Sequence, residues 1–254
     1  DNISDIDMVS YQKRNLLNIN SPNPSVETFL HAFLPHKYVD HTHSNAILSL
    51  TNRSSGASLC RKIFDDRVMI LPYIMPGFDL AKAVYKCIKL HPDINCLILM
   101  NHGVFTFSDS AKDSYEFMIK YVTDAEKHLS KSKKISSPRL KKIKIIDVED
   151  IMPIIRGGVS SRNKYILSFR TSTNILEYMN NKQASSYMNK GTITPDHVIR
   201  IKPFPLFIKS KDLTSGKSIE QIINKHITLY EKKYKLYFDR NNKTSQTKKI
   251  MLDA

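Results

Sequence analysis

Two histidines one residue apart, His41 and His43 in Tyr38-Val-Asp-His-Thr-His43, restrict this chain more than any other feature. Residues two apart on a β-strand point to the same side, so on a strand this spacing aims both imidazoles at one spot. The run before them reads as a helix between Glu27 and Pro35, because Phe29, Leu30, Phe33 and Leu34 share one face. Pro35 ends it, since proline lacks an N–H and restricts the residue before it. An apolar helix therefore leads straight into a strand, Tyr38–His43, that ends in two ring nitrogens. A catalytic zinc site takes three protein ligands and leaves a position open. The best third candidate is His102 in Cys96-Leu-Ile-Leu-Met-Asn-His-Gly103, where a second apolar strand ends. Gly103 beside it lets another group approach the backbone closely.

The rest of the chain reads as alternating helices and strands. Helices are expected over 4–17, 45–50, 57–64, 79–90 and 110–129, the last capped by Asp109. Val68–Pro72 and Cys96–Met100 read as strands, with Val104–Phe107 the hairpin partner of the second. Asn18–Pro24 and Asn52–Gly56 are turns. Lys131–Lys142 is basic and reads as an exposed connection, followed by a strand from Ile143 to Val148. Glu149–Arg156 reads as a helix closed by Gly157-Gly158, Tyr165–Phe169 as a strand, and Ser172–Met179 as a helix. Pro195–Val198 begins a turn or short helix. Ile219–Tyr237 is a strong amphipathic helix, with Asp239–Lys249 a loose polar tail.

The motifs and their order resemble the class II, zinc-dependent sugar-phosphate aldolase and adducin-head family. The resemblance is carried by Pro24-Ser25-Val26-Glu27, His41-x-His43, Pro76-Gly77-Phe78-Asp79-Leu80-Ala81 and Asn101-His102-Gly103. Thr194-Pro-Asp-His-Val-Ile-Arg-Ile-Lys-Pro-Phe-Pro205 looks like the aldolase half of two-domain rhamnulose-1-phosphate aldolase/short-chain dehydrogenase proteins. The resemblance implies an α/β, three-layer fold with a central, mainly antiparallel sheet and helices on both faces. It divides the chain into a helix and linker at 1–24 with a truncated start, the aldolase-like domain at 25–240, and a tail at 241–254. That tail would be the junction to a dehydrogenase domain.

The same resemblance assigns roles. His41, His43 and His102 would be the ligands of Zn2+ or another divalent metal, and Glu27 the catalytic acid/base, its pKa raised by desolvation. Glu27 also reads as an ordinary acidic residue at a helix N-terminus. Ser25 resembles a phosphate contact and equally suits a helix cap. Tyr73 matches the spacing of a proton-donating tyrosine and equally suits a core. Asn101 could orient His102, contact substrate, or end a strand facing solvent. His197, beside Asp196, is a candidate for supporting the metal ligands or touching substrate. His31 and His36 read as structural.

Function and partners follow as expectations. The leading reading is a lyase cleaving a ketose 1-phosphate, such as rhamnulose or fuculose 1-phosphate, to dihydroxyacetone phosphate and an aldehyde. The rival is a non-catalytic adducin-head-like interaction module, or an inactive aldolase half of a bifunctional dehydrogenase. No strand gripping the substrate phosphate is visible before Pro24, which favours the rival. The family implies a homo-oligomer of tetramer size. The net charge of +15, from 39 basic and 24 acidic side chains, would draw in a phosphorylated sugar, although a lysine-rich composition explains it too. The basic stretches Lys131–Lys142 and Lys232–Lys249 lack a nucleic-acid-binding motif. No apolar run approaches the roughly 20 residues of a membrane span. The three cysteines, Cys60, Cys87 and Cys96, form no C-x-x-C pair, so reduced thiols in a cytoplasmic protein are expected.

Overall fold

The Ser4 hydroxyl accepts from the Asp7 N–H and opens the first helix, α1 (Asp5–Arg14). The computed structural model describes residues 3–131, 147–160, 163–213 and 218–243. Most of the basic connection expected over 131–142 and of the strand expected over 143–148 lies outside the described residues, as does the tail beyond 243. After α1 come α2 (Thr28–Phe33), β1 (Tyr38–Thr42), α3 (Asn45–Thr51), α4 (Gly56–Ile63) and β2 (Val68–Leu71). Then follow α5 (Phe78–Leu90), β3 (Cys96–Leu99), β4 (Gly103–Ser108) and α6 (Ala111–Ser130).

The strands form one mixed sheet in the order β1-β4-β3-β2. β2 and β3 are parallel because α5 carries the chain back between them, as parallel strands require. β3 and β4 are antiparallel across a short turn, and β1 pairs antiparallel with β4, setting His41 opposite Phe105. In that turn Asn101 has φ 60°, a left-handed conformation that asparagine tolerates better than most residues. Helices cover both faces. Leu97, Leu99, Phe105 and Phe107 pack with Leu30 of α2 and Leu80 and Val84 of α5. Cys96, Ile98 and Val104 pack on the other side with Ile47, Cys60, Met118 and Tyr121. Burial on both faces explains why β3 is continuously apolar rather than alternating. This is the expected three-layer α/β fold, with a sheet antiparallel in two of its three pairings.

One cap differs from expectation. Ser110, not Asp109, caps α6: its Oγ accepts from Asp113 N at 3.3 Å. Asp109 instead accepts from Lys37 N at 3.1 Å and lies 3.8 Å from His36 Nδ1.

The chain divides into two units, the first made of Asp1–Lys134 with Ile193–Arg200, the second of Ile135–Thr192 with Ile201–Ala254. Beyond α6 come α7 (Val148–Val159), α8 (Thr173–Asn180), α9 (Ala184–Met188), α10 (Pro195–Val198), α11 (Ser210–Leu213) and α12 (Ile219–Asn241). Of these, α10 belongs to the first unit. α7 runs on through Gly157 and Gly158, where a stop was expected. A Cβ on Gly158 would sit 2.5 Å from Ile227 Cδ1, so this glycine is where α12 packs closest. The segment 165–169 is not a strand; Arg156 Nε donates to the Tyr165 carbonyl, and the segment forms no ladder among the described residues. Its β-prone composition meets no strand to pair with among the described residues, and the Tyr165 N–H donates instead to Ser160 Oγ at 3.4 Å. α12 extends past Tyr237 and takes in Asp239, burying Ile222, Ile223 and Ile227. Among the described residues, no helix is long and apolar enough to cross a membrane.

Candidate functional site

The centre is assembled by the ends of α2, β1 and the β3–β4 turn. Glu27 is the N-cap residue of α2. Ser25 shapes the approach to it, its Oγ accepting from Glu27 N at 3.1 Å and its carbonyl from Thr28 Oγ1. On β1, the His41 ring lies flat on Phe105, with centroids 3.8 Å apart and planes 11° apart. His43 follows one strand period later, and His102 sits at the head of β4, only 2% exposed. The ring centroids are 4.7 Å apart for His41 and His43, 5.3 Å for His41 and His102, and 5.2 Å for His43 and His102. His102 Nε2 is 2.6 Å from Glu27 Oε1, and His41 Nε2 is 3.7 Å from Glu27 Oε2. One ligand atom from each of Glu27, His41, His43 and His102 can be chosen so that all lie within 4.8 Å of one another.

Gly103 makes room for this. A Cβ there would lie 2.6 Å from the Thr42 carbonyl, 2.9 Å from His43 Cδ2 and 3.0 Å from His41 Cε1. Any larger residue would push both rings off their positions. The close approach expected from the His-Gly pair is thus found, and what approaches is the His-x-His strand itself.

The hydrogen bonds settle where the protons lie. His41 Nδ1 is 3.0 Å from the Val104 carbonyl and His43 Nδ1 is 2.8 Å from Asp196 Oδ2. A carbonyl and a carboxylate only accept, so each Nδ1 is the N–H. In the neutral rings both Nε2 atoms then carry lone pairs, and they face each other at 3.0 Å. Two lone pairs at that distance repel unless a proton or a cation lies between them. Burial pushes the His41 ring down to about 4, so it is neutral at pH 7 and offers that lone pair. The residues therefore fit a divalent ion: His41 and His43 have their outer nitrogens anchored, and they stand beside a carboxylate and His102, whose buried Nδ1 has no hydrogen-bond partner among the described residues. Glu27 departs from expectation. Burial acts to raise its carboxyl, but the hydrogen bond from His102 and the charges of the three imidazoles outweigh it and hold it below the ordinary value.

The family model described as the class II aldolase and adducin N-terminal domain matches residues 1–129, and that of the second domain of class II aldolases matches 147–254. This chain belongs to the class II aldolase and adducin family. It is 31% identical over 254 residues, 95% of its length, to the uncharacterized oxidoreductase YuxG of Bacillus subtilis (strain 168). The chain spans only 36% of that relative. It is also 46% identical to the solved N-terminal class II aldolase domain of a conserved protein from Thermoplasma acidophilum. That match has a TM-score of 0.47 and covers 51% of this chain and 59% of the other.

The remaining family-derived candidates lie outside the cluster. Tyr73 is exposed on the segment between β2 and α5. The Asn101 amide donates to Asn52 Oδ1 at 3.1 Å, and its left-handed backbone accounts for an asparagine there. The His197 ring bonds the Thr194 hydroxyl at 2.5 Å, so the residue of that segment that reaches the histidines is its neighbour Asp196. Sequence reading passed over Asp196 because an acidic residue after a capping threonine looks like ordinary helix chemistry. His31 and His36 pack on Phe105 and Phe107.

Proposed function

We propose that this chain is the aldolase part of a metal-dependent carbon–carbon lyase. Its substrate would be a ketose 1-phosphate, such as rhamnulose or fuculose 1-phosphate, and its products dihydroxyacetone phosphate and an aldehyde. The observation that carries this reading is the meeting of three imidazoles and the Glu27 carboxylate at one point. His41, His43 and His102 would hold the ion, zinc by preference of the family. When bound there, a divalent ion supplies a Lewis acid that polarises the substrate carbonyl.

The chain's own groups supply the rest. Glu27, kept ionised by His102 and its neighbours, takes the proton from the carbon beside the carbonyl in the condensation direction. In the cleavage direction the same carboxyl returns it. At 18% exposure it borders solvent while His102 closes the inner side. Assembly as a homo-oligomer and a dehydrogenase part elsewhere in the full protein complete the reading, the latter supported by the oxidoreductase name of YuxG.

The test is metal analysis of the purified chain followed by retro-aldol assays on both ketose phosphates. One divalent ion per chain and measurable dihydroxyacetone phosphate release are expected. Failure to take up metal would sink the reading. Stoichiometric metal without turnover on either substrate would replace the lyase by the non-catalytic, adducin-head-like module.

A further inference from the structure

His41 and His43 are anchored differently. His41 leans on a backbone carbonyl of the sheet, whereas His43 is held by a side chain 153 positions later, Asp196. Asp196 stands in the first turn of α10, which Thr194 caps by accepting from His197 N, with Pro195 as its first helical residue. Thr194 is buried at 5% exposure. The segment is tied down a second time, because Asn52 Nδ2 donates to the Ile193 carbonyl at 2.9 Å. Asn52 Oδ1 in turn accepts from Asn101, the residue before His102. One short stretch thus reaches His43 with a carboxylate and the His102 turn through an asparagine pair.

We propose that Asp196 is a positioning residue of the centre: it locks His43 in the tautomer protonated at Nδ1, so that Nε2 offers its lone pair beside His41. Without an acceptor at Nδ1 the proton can move to Nε2, where it faces His41 Nε2 and removes one donor from the cluster. A carboxylate on the far nitrogen also makes the ring a stronger ligand. The segment Ile193–Arg200, from the second half of the chain, so completes a centre whose four clustered groups all come from the first half. This deepens the metal reading above and rests on it for its effect on affinity; the hydrogen bond from His43 Nδ1 to Asp196 does not itself involve an ion.

Two measurements on the full chain test it. In metal-free protein with 15N-labelled histidine, the nitrogen shifts of His43 are expected to show a protonated Nδ1 in the wild type and a mixture in Asp196→Ala. In competition with a chromophoric chelator, Asp196→Ala is expected to bind zinc about tenfold more weakly or worse. Asp196→Asn, whose amide oxygen still accepts, should recover most of that loss. In a His43→Ala background, Asp196→Ala should cost nothing further, which a merely structural role would not produce. Asp196 is more than half exposed, so metal-free melting should be unchanged. Zinc binding by Asp196→Ala within twofold of wild type, or a wild-type His43 protonated at Nε2, overturns the proposal. If the wild type takes up no zinc, the metal reading falls, and the nitrogen shifts alone decide the role of Asp196.

Discussion

A histidine ligand must be neutral before an ion can use it, and His41 meets that condition chiefly through burial. The same burial has a cost in acid. Unfolded, the ring takes its proton near 6.5; folded, it resists until about 4. Between those values the unfolded state binds more protons, so stability is complete above about pH 6.5 and is lost as the pH falls towards 4. Each pH unit between the two values is worth about 1.4 kcal/mol, which puts the loss on the order of 3 kcal/mol at most. Denaturant unfolding of the chelated protein should therefore show a lower midpoint at pH 5 than at pH 7.5, and His41→Gln should flatten the difference. A midpoint that rises on acidification would contradict the burial argument. Glu27 makes the complementary prediction. Glu27→Gln should lower turnover by about 10²- to 10⁴-fold, the usual share of a general acid–base group, while bound metal remains. Loss of metal together with activity would make Glu27 a ligand first. His41, His43 and His102 were legible in the sequence because period-two spacing and a His-Gly pair are local signals, whereas Glu27 stood out only through the family resemblance of Pro24-Ser25-Val26-Glu27. The pKa of Glu27 was not legible, because its sign depends on which rings surround the carboxyl, and those arrive from two distant strands.

Among the elements, α5 is held by a residue that does not belong to it. Gly77, its N-cap, has no side chain to offer, and the Phe78 N–H is taken instead by Asp5 Oδ1 of α1 at 3.0 Å. Gly77 permits this with φ 155°, and a Cβ there would stand 2.6 Å from that same oxygen. Asp5→Ala should then cost about 1 kcal/mol, the ordinary value of a lost cap, measured as a lower unfolding midpoint. Gly77→Ala should cost more, since it meets both the backbone conformation and the carboxylate. Equal stability of Asp5→Ala and wild type would mean that the cap is replaced by water. Elements of the first unit were readable because most carry their own punctuation: Pro35 after α2, the Asn52–Gly56 turn between α3 and α4, and an unbroken apolar β3 between two covered faces. The second unit misled where composition and context disagree. Tyr165–Phe169 is β-prone but has no strand beside it among the described residues, and Gly157-Gly158 looks like a stop although Gly158 serves a close helix crossing. A glycine placed for contact and one placed for a turn are the same letter.

For the whole molecule, the open question is whether a charge of +15 has a use or merely follows from a lysine-rich composition. The two explanations differ in what salt should do. A positive field that guides an anionic substrate raises its rate of encounter, and that gain fades as ions screen it over a Debye length of about 10 Å at 0.1 M. The gain enters kcat/KM, which includes encounter, and leaves kcat largely alone. A ketose 1-phosphate should therefore lose several-fold in kcat/KM between about 20 mM and 300 mM salt, with kcat nearly constant. The unphosphorylated ketose, assayed as an alternative substrate, is neutral and should show no such slope. The comparison matters because salt can also weaken the protein itself, and that effect would lower both substrates together. Parallel slopes would mean that the charge is compositional and that the phosphate is recognised by local contacts alone. Diverging slopes would tie the composition of the whole chain to the charge of what it binds.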